Sequence, residues 1–355
     1  MVAMVNIYET FRETFRITLH QICKYCNNLF SVSTVSYALN DGPRSVPAEV
    51  KVRILEVASK LHYRPNRLAR SLITRKSHVI GIVPPRVEFN MVAGPYFVNM
   101  LNGIVNAYED LEQDVLILTQ IKSTESREAI YPLLDGRCDG AIFLAPYQES
   151  VGINYLNEIG FPHVILNGRN AKSVCFDIDN RTGMKLGVEH LAALGHKKIG
   201  MIQGPEDHID GFERNSGFIE SMKDLGLEVR PDWLVKAGFD RCSGELAGRR
   251  LLGLKDRPTA ICCANDETAL GLYTACVELG VKVPEEISIV GFDNAPNSAS
   301  SEPALTTIQQ PFEEMSGHAS KTLMALIDGR LAQQSRRFDT SLVVRQSTAR
   351  PMEDK

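Results

Sequence analysis

The sequence predicts an all-α helix-turn-helix headpiece followed by an α/β core of two doubly wound parallel-sheet subdomains. Residues 17–63 contain three short amphipathic helical patterns, whereas the chain from residue 79 onward alternates short apolar runs with helical stretches. Charge separates the same two parts, because residues 1–78 carry twelve Lys and Arg against five Asp and Glu, net +7, and the remainder is net −11. A basic end on an acidic body is the distribution expected when only one end contacts phosphate.

The headpiece pattern begins at Thr18, which is followed three residues later by a glutamine, as in a capping box. Ser31 can cap a second short helix, and Pro47 suits the first turn of a third. The faces expected on the second helix are an inward one of Val35, Ala38 and Leu39 and an outward one of Val32, Ser33, Ser36 and Tyr37. Two short helices joined by a turn and braced by a third form a helix-turn-helix.

The stretch RPNRLARSL after the third helix contains three arginines and two leucines, one of which is expected to be exposed. A helix that lies in a DNA minor groove and wedges an apolar side chain between bases has this composition. The alternative is a helical domain that merely carries surface arginines.

Length and composition bound the remaining possibilities. With 355 residues, 44% of them hydrophobic, the chain can form a headpiece and two ordinary domains. No apolar run approaches the ~20 residues that cross a bilayer, and Glu9 and Glu13 interrupt the N-terminal stretch, so no signal peptide is expected. The eight cysteines are scattered and suit free thiols in a reducing cytoplasm. Cys23 and Cys26 are attributed to helix packing rather than to a metal.

Two series of short apolar runs predict two sheets. The first comprises VIGIVPP (79–85), DVLILTQ (114–120), GAIFLAP (140–146) and HVILNG (163–168), and the second comprises KKIGMIQG (197–204), LVKAG (234–238), TAICCAN (259–265) and ISIVGFDN (287–294). Apolar strands with helices between them are typical of parallel sheets covered on both faces.

The polar residues that end these strands are candidate ligand contacts, because ligands of doubly wound sheets bind outside the carboxyl ends of the strands. They are Asn167, Gln203, Asn265 and Asp293. Neither G-x-G-x-x-G nor G-x-x-x-x-G-K-[ST] follows a strand, so a nucleotide-phosphate site is not predicted. No catalytic residue, cofactor or metal site is predicted either, since HExxH, GxSxG and carboxylate–histidine patterns are absent. His190 and His196 are attributed to helix capping and packing.

Seven segments occur in order and at characteristic spacing: STVSYALN, YRPNRLARSL, TRKSHVIGIVPP, EHLAALGHKKIGMIQGP, RNSGF, AICCANDETALG and ISIVGFDN. Together they resemble the LacI/GalR family of bacterial transcription regulators, and the resemblance covers residues 17 to about 350. It implies a cytoplasmic, sequence-specific repressor that binds a pseudo-palindromic operator in double-stranded DNA as a homodimer or dimer of dimers, with no membrane partner. A small polar effector, a sugar or sugar derivative, would bind between the core subdomains and control operator affinity.

The resemblance also implies a domain organisation in which the core is similar to periplasmic sugar-binding proteins. The domains are an N-terminal extension of unassigned role (1–16), a headpiece (17–63), a hinge helix with linker (64–78) and a core (79–350) made of an N-subdomain (about 79–176 and 308–340) and a C-subdomain (about 177–307). The alternative is a cytoplasmic ligand-binding protein of the same core fold with a non-functional headpiece.

The family's DNA contacts map onto two helices. On the recognition helix the matched residues are Val32, Ser33 and Tyr37 at base edges and Thr34 and Ser36 at phosphates, with Thr18, Ser31 and Asn40 flanking them. In the hinge they are Leu72, which matches a leucine that wedges into a base step, and Asn66, Arg67 and Arg70 in the minor groove. Thr34 can instead support the helix cap, Tyr37 can pack on the third helix, and Leu72 can pack between domains.

The effector residues that the resemblance implies surround the cleft. Arg214, Asn265 and Asp293 match positions that hydrogen-bond effector, and a guanidinium, an amide and a carboxylate together satisfy vicinal hydroxyls. The remaining matches are Asn167, where an Asp is frequent, and Tyr96, Phe97 and Phe176, at apolar or aromatic cleft positions. Phe97 fits the core equally well. Asp266 and Asn180 are expected to cap helices rather than to bind ligand.

The turn CNNLFS departs from the family pattern because it is two residues longer than usual. We expect Asn27 and Asn28 to absorb the extra length in left-handed conformations, which asparagine visits more readily than most residues. Leu29 or Phe30 is expected to refill the core where a turn valine is usual.

Two further departures concern specificity. Tyr37 stands where Arg is common, which predicts a different operator preference. The stretch GFDRCSG places Asp240 where a cleft aromatic is usual, and this favours a polar effector contact over ring stacking. Trp233, several residues upstream, is expected to be a packing residue.

Overall fold

The computed structural model of the chain describes residues 17–40, 44–64, 70–71, 74, 76–84, 94–111, 113–146, 150–331 and 333–352. The chain forms two compact units, a headpiece unit at residues 1–77 and a core unit at residues 78–355. Within the part that the structure describes, no helix is long and apolar enough to cross a membrane.

The headpiece unit contains α1 (Leu19–Tyr25), α2 (Val32–Asn40) and α3 (Ala48–Lys60). The capping box predicted at the start of α1 is confirmed, since the Gln21 N–H donates to Thr18 Oγ1 and the Thr18 N–H donates to Gln21 Oε1 at 2.7 Å. These reciprocal bonds satisfy backbone donors that the start of a helix otherwise leaves free.

A small apolar core holds the three headpiece helices together. Ile22, Val35 and Ile54, one from each helix, are fully buried, and burial of such a side chain contributes roughly 1.5–3 kcal/mol. Cys23 and Cys26 are buried free thiols in the same cluster. Packing therefore accounts for this cysteine pair, as the sequence predicts.

The lengthened turn between α1 and α2 is built as predicted. Asn27 and Asn28 have left-handed φ angles of 57° and 52°, and their N–H groups donate to carbonyls in the last turn of α1. Phe30 packs against the headpiece core, whereas Leu29 is 60% exposed. The extra residues thus close the end of α1 while an aromatic side chain fills the core.

The core unit contains two sheets. The strands of the first are β1 (Val79–Val83), β2 (Asp114–Ile117), β3 (Gly140–Leu144), β4 (His163–Leu166), β5 (Val174–Ile178) and β11 (Arg336–Phe338). They pair in parallel in the order β11-β5-β4-β3-β1-β2. The accompanying helices are α4 (Pro95–Tyr108), α5 (Val151–Ile159) and α11 (Phe312–Ile327), with 3-10 turns at Glu109–Leu111 and Glu128–Leu133.

The strands of the second sheet are β6 (Ile199–Gln203), β7 (Leu234–Lys236), β8 (Ala260–Cys263), β9 (Ser288–Asp293), β10 (Thr306–Gln309) and β12 (Ser341–Val343). Their order is β12-β10-β9-β8-β6-β7, and β12 runs antiparallel to β10 while the other pairs are parallel. The helices are α6 (Asn180–Ala193), α7 (Ile209–Asp224), α8 (Arg241–Leu252), α9 (Asp266–Leu279) and α10 (Pro296–Ser300), with a 3-10 turn at Pro231–Trp233.

The chain passes between the two sheets after β5, after β10 and after β11. β5 and β10 each extend two residues beyond the approximate subdomain boundaries expected from the sequence, to Ile178 and Gln309. Because these strands leave their sheets at their carboxyl ends, residues directly after the strands line the space between the subdomains.

Candidate functional site

Arg214 on α7 lies at the centre of a buried polar network, and only 2% of its surface is exposed. Its Nε donates to Asn180 Oδ1 at 2.8 Å, and its Nη1 donates to the Ala264 carbonyl at 2.8 Å and to Asp293 Oδ1 at 3.3 Å. The guanidinium also lies 3.8 Å from the centre of the Phe292 ring. These contacts fix the guanidinium and leave its Nη2 without a hydrogen-bond partner among the described residues.

Carboxylates surround this arginine. Asp293 ends β9, and its Oδ1 also accepts a 2.6 Å hydrogen bond from Gln310 Nε2. Burial raises the pKa of Asp293 to about 6, although the Arg214 charge opposes the increase. Asp210, one turn before Arg214, accepts from Asn180 Nδ2 at 3.0 Å, and its Oδ2 lies 4.0 Å from Arg214 Nη2.

The wall contributed by the first subdomain is built on Asn167, which directly follows β4 and is fully buried with a left-handed φ of 49°. Its Nδ2 donates to Tyr96 Oη at 2.7 Å and to Gln310 Oε1 at 2.8 Å, and its Oδ1 has no partner among the described residues. Burial raises the pKa of Tyr96 well above its usual range, so its hydroxyl stays protonated. Through Gln310, Asn167 is connected to Asp293 of the second subdomain.

Among the described residues, Arg214 Nη2 is a buried donor of this network without a partner, and Asn167 Oδ1 is a buried acceptor without one. A buried polar atom without a partner costs roughly 1–3 kcal/mol, so a group that both donates and accepts would stabilise this site. A hydroxyl does both. A cavity of about 370 Å³ whose lining includes Asp293 and Gln310 adjoins the network, a volume within the range of small-molecule sites.

Phe239 is an aromatic residue beside Arg214, and the expectation that Asp240 stands in its place is corrected. The Phe239 ring centre lies 5.8 Å from the Arg214 guanidinium and 5.4 Å from the His208 ring. Asp240 caps α8 instead, because its carboxylate accepts from the Ser243 N–H at 2.9 Å and from the Ser243 hydroxyl at 2.8 Å. Because the Asp240 carboxylate is engaged in this cap, Phe239 rather than Asp240 is the residue of GFDRCSG whose side chain lies beside Arg214.

Two further cap assignments differ from expectation by one residue. Asp179 rather than Asn180 caps α6, and Asn265 rather than Asp266 caps α9. Asn265 uses its Oδ1 for that cap and donates its Nδ2 to the Phe239 carbonyl at 2.9 Å. Asn180 is therefore free to bridge Arg214 to the neighbouring carboxylate.

Phe97 and Phe176 pack within the core unit, and their contact with an effector stays a prediction. Both are fully buried within the apolar cluster of the core unit. The Phe176 ring centre lies 6.4 Å from that of Phe338 and 6.2 Å from that of His318. The packing role that was the alternative for Phe97 thus applies to both phenylalanines, and the Phe176 ring also contacts the His318 ring.

In the headpiece, Ser31 caps α2 by accepting the Thr34 N–H at 3.1 Å, and the two hydroxyls are 2.9 Å apart. Thr34 therefore supports the cap, which was its alternative role. Ser33 is exposed on α2. Val32 is half-buried against the headpiece core, so the prediction that it points outward is corrected.

Ser36 and Tyr37 are half-buried on α2. Asn40 at the end of α2 donates to the Ser36 carbonyl and accepts from Arg70 Nε and Nη2 at 3.4 and 3.3 Å. The predicted hinge contacts Asn66, Arg67 and Leu72 lie outside the described residues.

Sequence reasoning missed several residues of the network, among them Gln310, Asp210 and Phe239. Gln310 comes directly after β10, so the rule that ligands lie beyond the carboxyl ends of strands would have found it. Asp210 precedes Arg214 by four residues, and this spacing places both side chains on one helix face. His196, by contrast, has the packing role expected, since its ring nitrogens contact Thr259 Oγ1, Ser288 Oγ and the Ala349 carbonyl.

A two-lobed core with a polar cleft, joined to a helix-turn-helix headpiece, defines a ligand-responsive DNA-binding protein. A family model described as a periplasmic binding protein-like domain matches residues 188–348. The chain is 30% identical over 322 residues to the probable HTH-type transcriptional repressor ExuR of Bacillus subtilis (strain 168), covering 88% of this chain and 92% of that protein. It is 31% identical over 325 residues to the HTH-type transcriptional repressor PurR of Serratia proteamaculans (strain 568), covering 90% and 94%.

Solved structures give the same result. The lac repressor dimer bound to operator and the anti-inducer ONPF superposes with a TM-score of 0.81 at 26% identity, covering 94% of this chain and 99% of that one. A complex of the transcriptional regulator CelR with cellobiose superposes with a TM-score of 0.69 at 25% identity, covering 94% and 100%. The chain belongs to the LacI/GalR family of bacterial transcription regulators. It is a DNA-binding regulator and not an enzyme.

Proposed function

We propose that this protein is a cytoplasmic repressor that binds a pseudo-palindromic operator as a homodimer and responds to a neutral polyhydroxylated effector, a sugar or sugar derivative. The observation that carries the effector proposal is the free donor on Arg214 and the free acceptor on Asn167, which lie on opposite subdomains of one connected network. A ligand whose hydroxyls satisfy both atoms would link the two walls of the cleft.

The effector contacts that we propose are Arg214, Asp293, Asn167 and Tyr96, with Phe239 as the aromatic surface. Arg214 and Asp293 form charge-assisted hydrogen bonds, which are about twice as strong as neutral ones. Asn265 contributes through its remaining amide hydrogen. The relative crystallised with cellobiose supports a sugar as the ligand class.

For DNA we propose that α2 is the recognition helix and presents Ser33, Ser36 and Tyr37 to the major groove. Thr18 lies at the N-terminus of α1 and Ser31 at the N-terminus of α2. The N-terminus of a helix carries a partial positive charge, so both residues suit contact with DNA phosphates. The lac repressor dimer solved on its operator supports a dimeric arrangement for this chain. Asn40 then connects the recognition helix to Arg70 of the hinge.

A thermal-shift screen of neutral sugars, sugar phosphates and nucleobases on the full chain tests the effector proposal, followed by gel shifts on the upstream regions of its own and neighbouring genes. We expect a neutral sugar to raise Tm and to change operator affinity. A hit that raises Tm while no upstream region is bound would support the alternative, a ligand-binding protein with a non-functional headpiece. Stabilisation by nucleobases alone would contradict the sugar class.

A further inference from the structure

Arg169 connects the two subdomains beside the cleft. It follows β4 in the first subdomain, and its Nη1 and Nη2 donate to Oε1 and Oε2 of Glu213 on α7 of the second subdomain at 2.7 and 2.8 Å. Its Nε donates to Asp177 Oδ2 on β5 at 2.7 Å. Two parallel bonds between a guanidinium and a carboxylate form the strongest and most directional kind of protein ion pair.

Burial makes this contact different from an ordinary surface ion pair. The side chains of Glu213 and Asp177 are only 8% and 5% exposed, whereas Arg169 is 31% exposed. A carboxylate held away from water is costly unless a cation compensates it. Asp177 lies in the same subdomain as Arg169, so this pair persists when the two subdomains move apart. Glu213 keeps its partner only while they are close together.

The ion pair also adjoins the effector network. Glu213 directly precedes Arg214 on α7. Burial and the nearby negative charge of Asp210 together raise the pKa of Asp177 to about 7. Asp177 therefore interacts electrostatically with a residue of the network around Arg214. A rotation of α7 away from the first subdomain would therefore separate Glu213 from Arg169 and move Arg214 at the same time, because both residues lie on this helix.

We propose that the Arg169–Glu213 ion pair is a latch that holds the two subdomains closed over the cleft. Arg169 and Glu213 are positioning residues, because their groups are engaged with each other rather than with the free donor and acceptor of the effector network. Asp177 orients Arg169 toward the opposite subdomain by accepting from Nε. The latch goes beyond the proposed effector site and does not depend on which effector binds there.

The test measures the separation of the subdomains by double electron–electron resonance on the full chain. Spin labels are attached at Lys122→Cys and Asp207→Cys, which are exposed positions of the first and second subdomain, after the exposed Cys242 has been replaced by Ser. With the labelled chain diluted into an excess of unlabelled chain, so that each proposed dimer carries one labelled protomer, we expect a single narrow distance distribution for this parent. Arg169→Met should lengthen the mean distance by several ångström and broaden the distribution, and Glu213→Gln should do so to a smaller degree because one hydrogen bond can persist.

The matched control is Arg127→Met, which removes an ion pair with Glu158 that lies wholly within the first subdomain, with both side chains 52% exposed. It should leave the distribution of the parent unchanged. If Arg169→Met and Glu213→Gln both reproduce the parent distribution, the latch is refuted. Glu213→Gln retains the Arg169–Asp177 pair, so it decides the question even if Arg169→Met fails to fold. The measurement needs no effector, so failure of the latch and failure of the effector site are separate outcomes.

Discussion

Asp293 shows how a single residue of the cleft is held in place. Its φ of 112° is rare for a residue with a side chain, and such backbone persists only where its surroundings fix it. The following residue, Asn294, has a φ of 51° and accepts a 2.6 Å hydrogen bond from Arg345 Nη2. The carboxylate of Asp293 is then directed at Arg214 and Gln310 by the backbone as well as by its own hydrogen bonds.

Asp293→Asn should weaken effector binding by about 10–100-fold, because it removes a charge-assisted hydrogen bond worth ~1.5–3 kcal/mol. Isothermal titration with a ligand found by the thermal-shift screen measures the loss. Operator binding should remain measurable by gel shift. Asp224→Asn, at an exposed position on the end of the same subdomain's α7, is the control. An unchanged affinity in Asp293→Asn would show that this carboxylate does not contact the effector.

Asp177 leads to a prediction about pH. Burial raises its folded-state pKa to about 7, whereas an unfolded Asp titrates near about 3.9. The folded chain therefore binds the Asp177 proton more tightly than the unfolded chain does. The contribution of this proton to the free energy of unfolding is complete below about pH 4 and is lost as pH rises through 7. Asp177→Asn should flatten the dependence of Tm on pH across that window. Asp135→Asn, at an exposed position, should keep the wild-type slope, and parallel profiles for Asp177→Asn and wild type would contradict the assignment.

At the scale of elements, α7 supplies both the latch and the effector arginine. Asp210, Glu213 and Arg214 recur at spacings of three and four, which place them on one face of the helix. Phe218 and Met222 continue that face as fully buried core residues. One helix thus packs through its second half and presents charged groups to the cleft through its first, so a small rotation of α7 changes both contacts together.

The turn between α1 and α2 gives a prediction that separates the effect of the left-handed backbone at Asn28 from the effect of its side chain. Asn28→Gly should keep or slightly raise headpiece stability, because glycine adopts a φ of 52° without strain. Asn28→Ala should lower stability by about 1 kcal/mol, since a β-carbon penalises this conformation. Amide hydrogen exchange of α1 and α2 in the full chain measures the difference. Equal protection in the two variants would mean that the left-handed backbone does not limit stability.

The hinge gives a second element-scale prediction, which rests on the sequence because Leu72 lies outside the described residues. If Leu72 wedges into a base step, Leu72→Ala should reduce affinity for the operator much more than affinity for random DNA, because unstacking is repaid only on a deformable centre. Fluorescence anisotropy at fixed salt compares the two. Leu331→Ala, at a leucine that is 99% exposed, is the control. Losses of equal size on both DNAs would refute the wedge.

For the whole molecule, β1 to β4 and β6 to β9 are the short apolar runs that the sequence predicts, and helical periodicity marks segments between them. β5, β10, β11 and β12 were not predicted, and β10 (TTIQ) and β11 (RRF) carry too many polar residues to be recognised as buried strands. The cleft was partly predictable because Asn167 and Asp293 end strands, and strand ends meet at one edge. The sequence assigned the cleft position to Asp240 rather than to its neighbour Phe239, because the local pattern does not show which of the two caps the helix. The Arg169–Glu213 pair joins residues whose proximity depends on how two subdomains approach each other, and no local pattern encodes that distance.

The order of the strands along the chain has a consequence for folding during synthesis. β11 and β12, separated by two residues, supply the last edge strand of each sheet, and the segment that follows is held by Ser288 and His196. While a ribosome is still translating the preceding three hundred residues, neither lobe of the nascent chain has its full set of strands. Until then β5 and β10, which are interior strands of the complete sheets, would be exposed edges of the kind that invites aggregation. Final folding of the two lobes is therefore expected to be a nearly simultaneous, late event, and premature stop codons even a few codons before residue 336 should yield chains that are cleared rather than half-functional repressors.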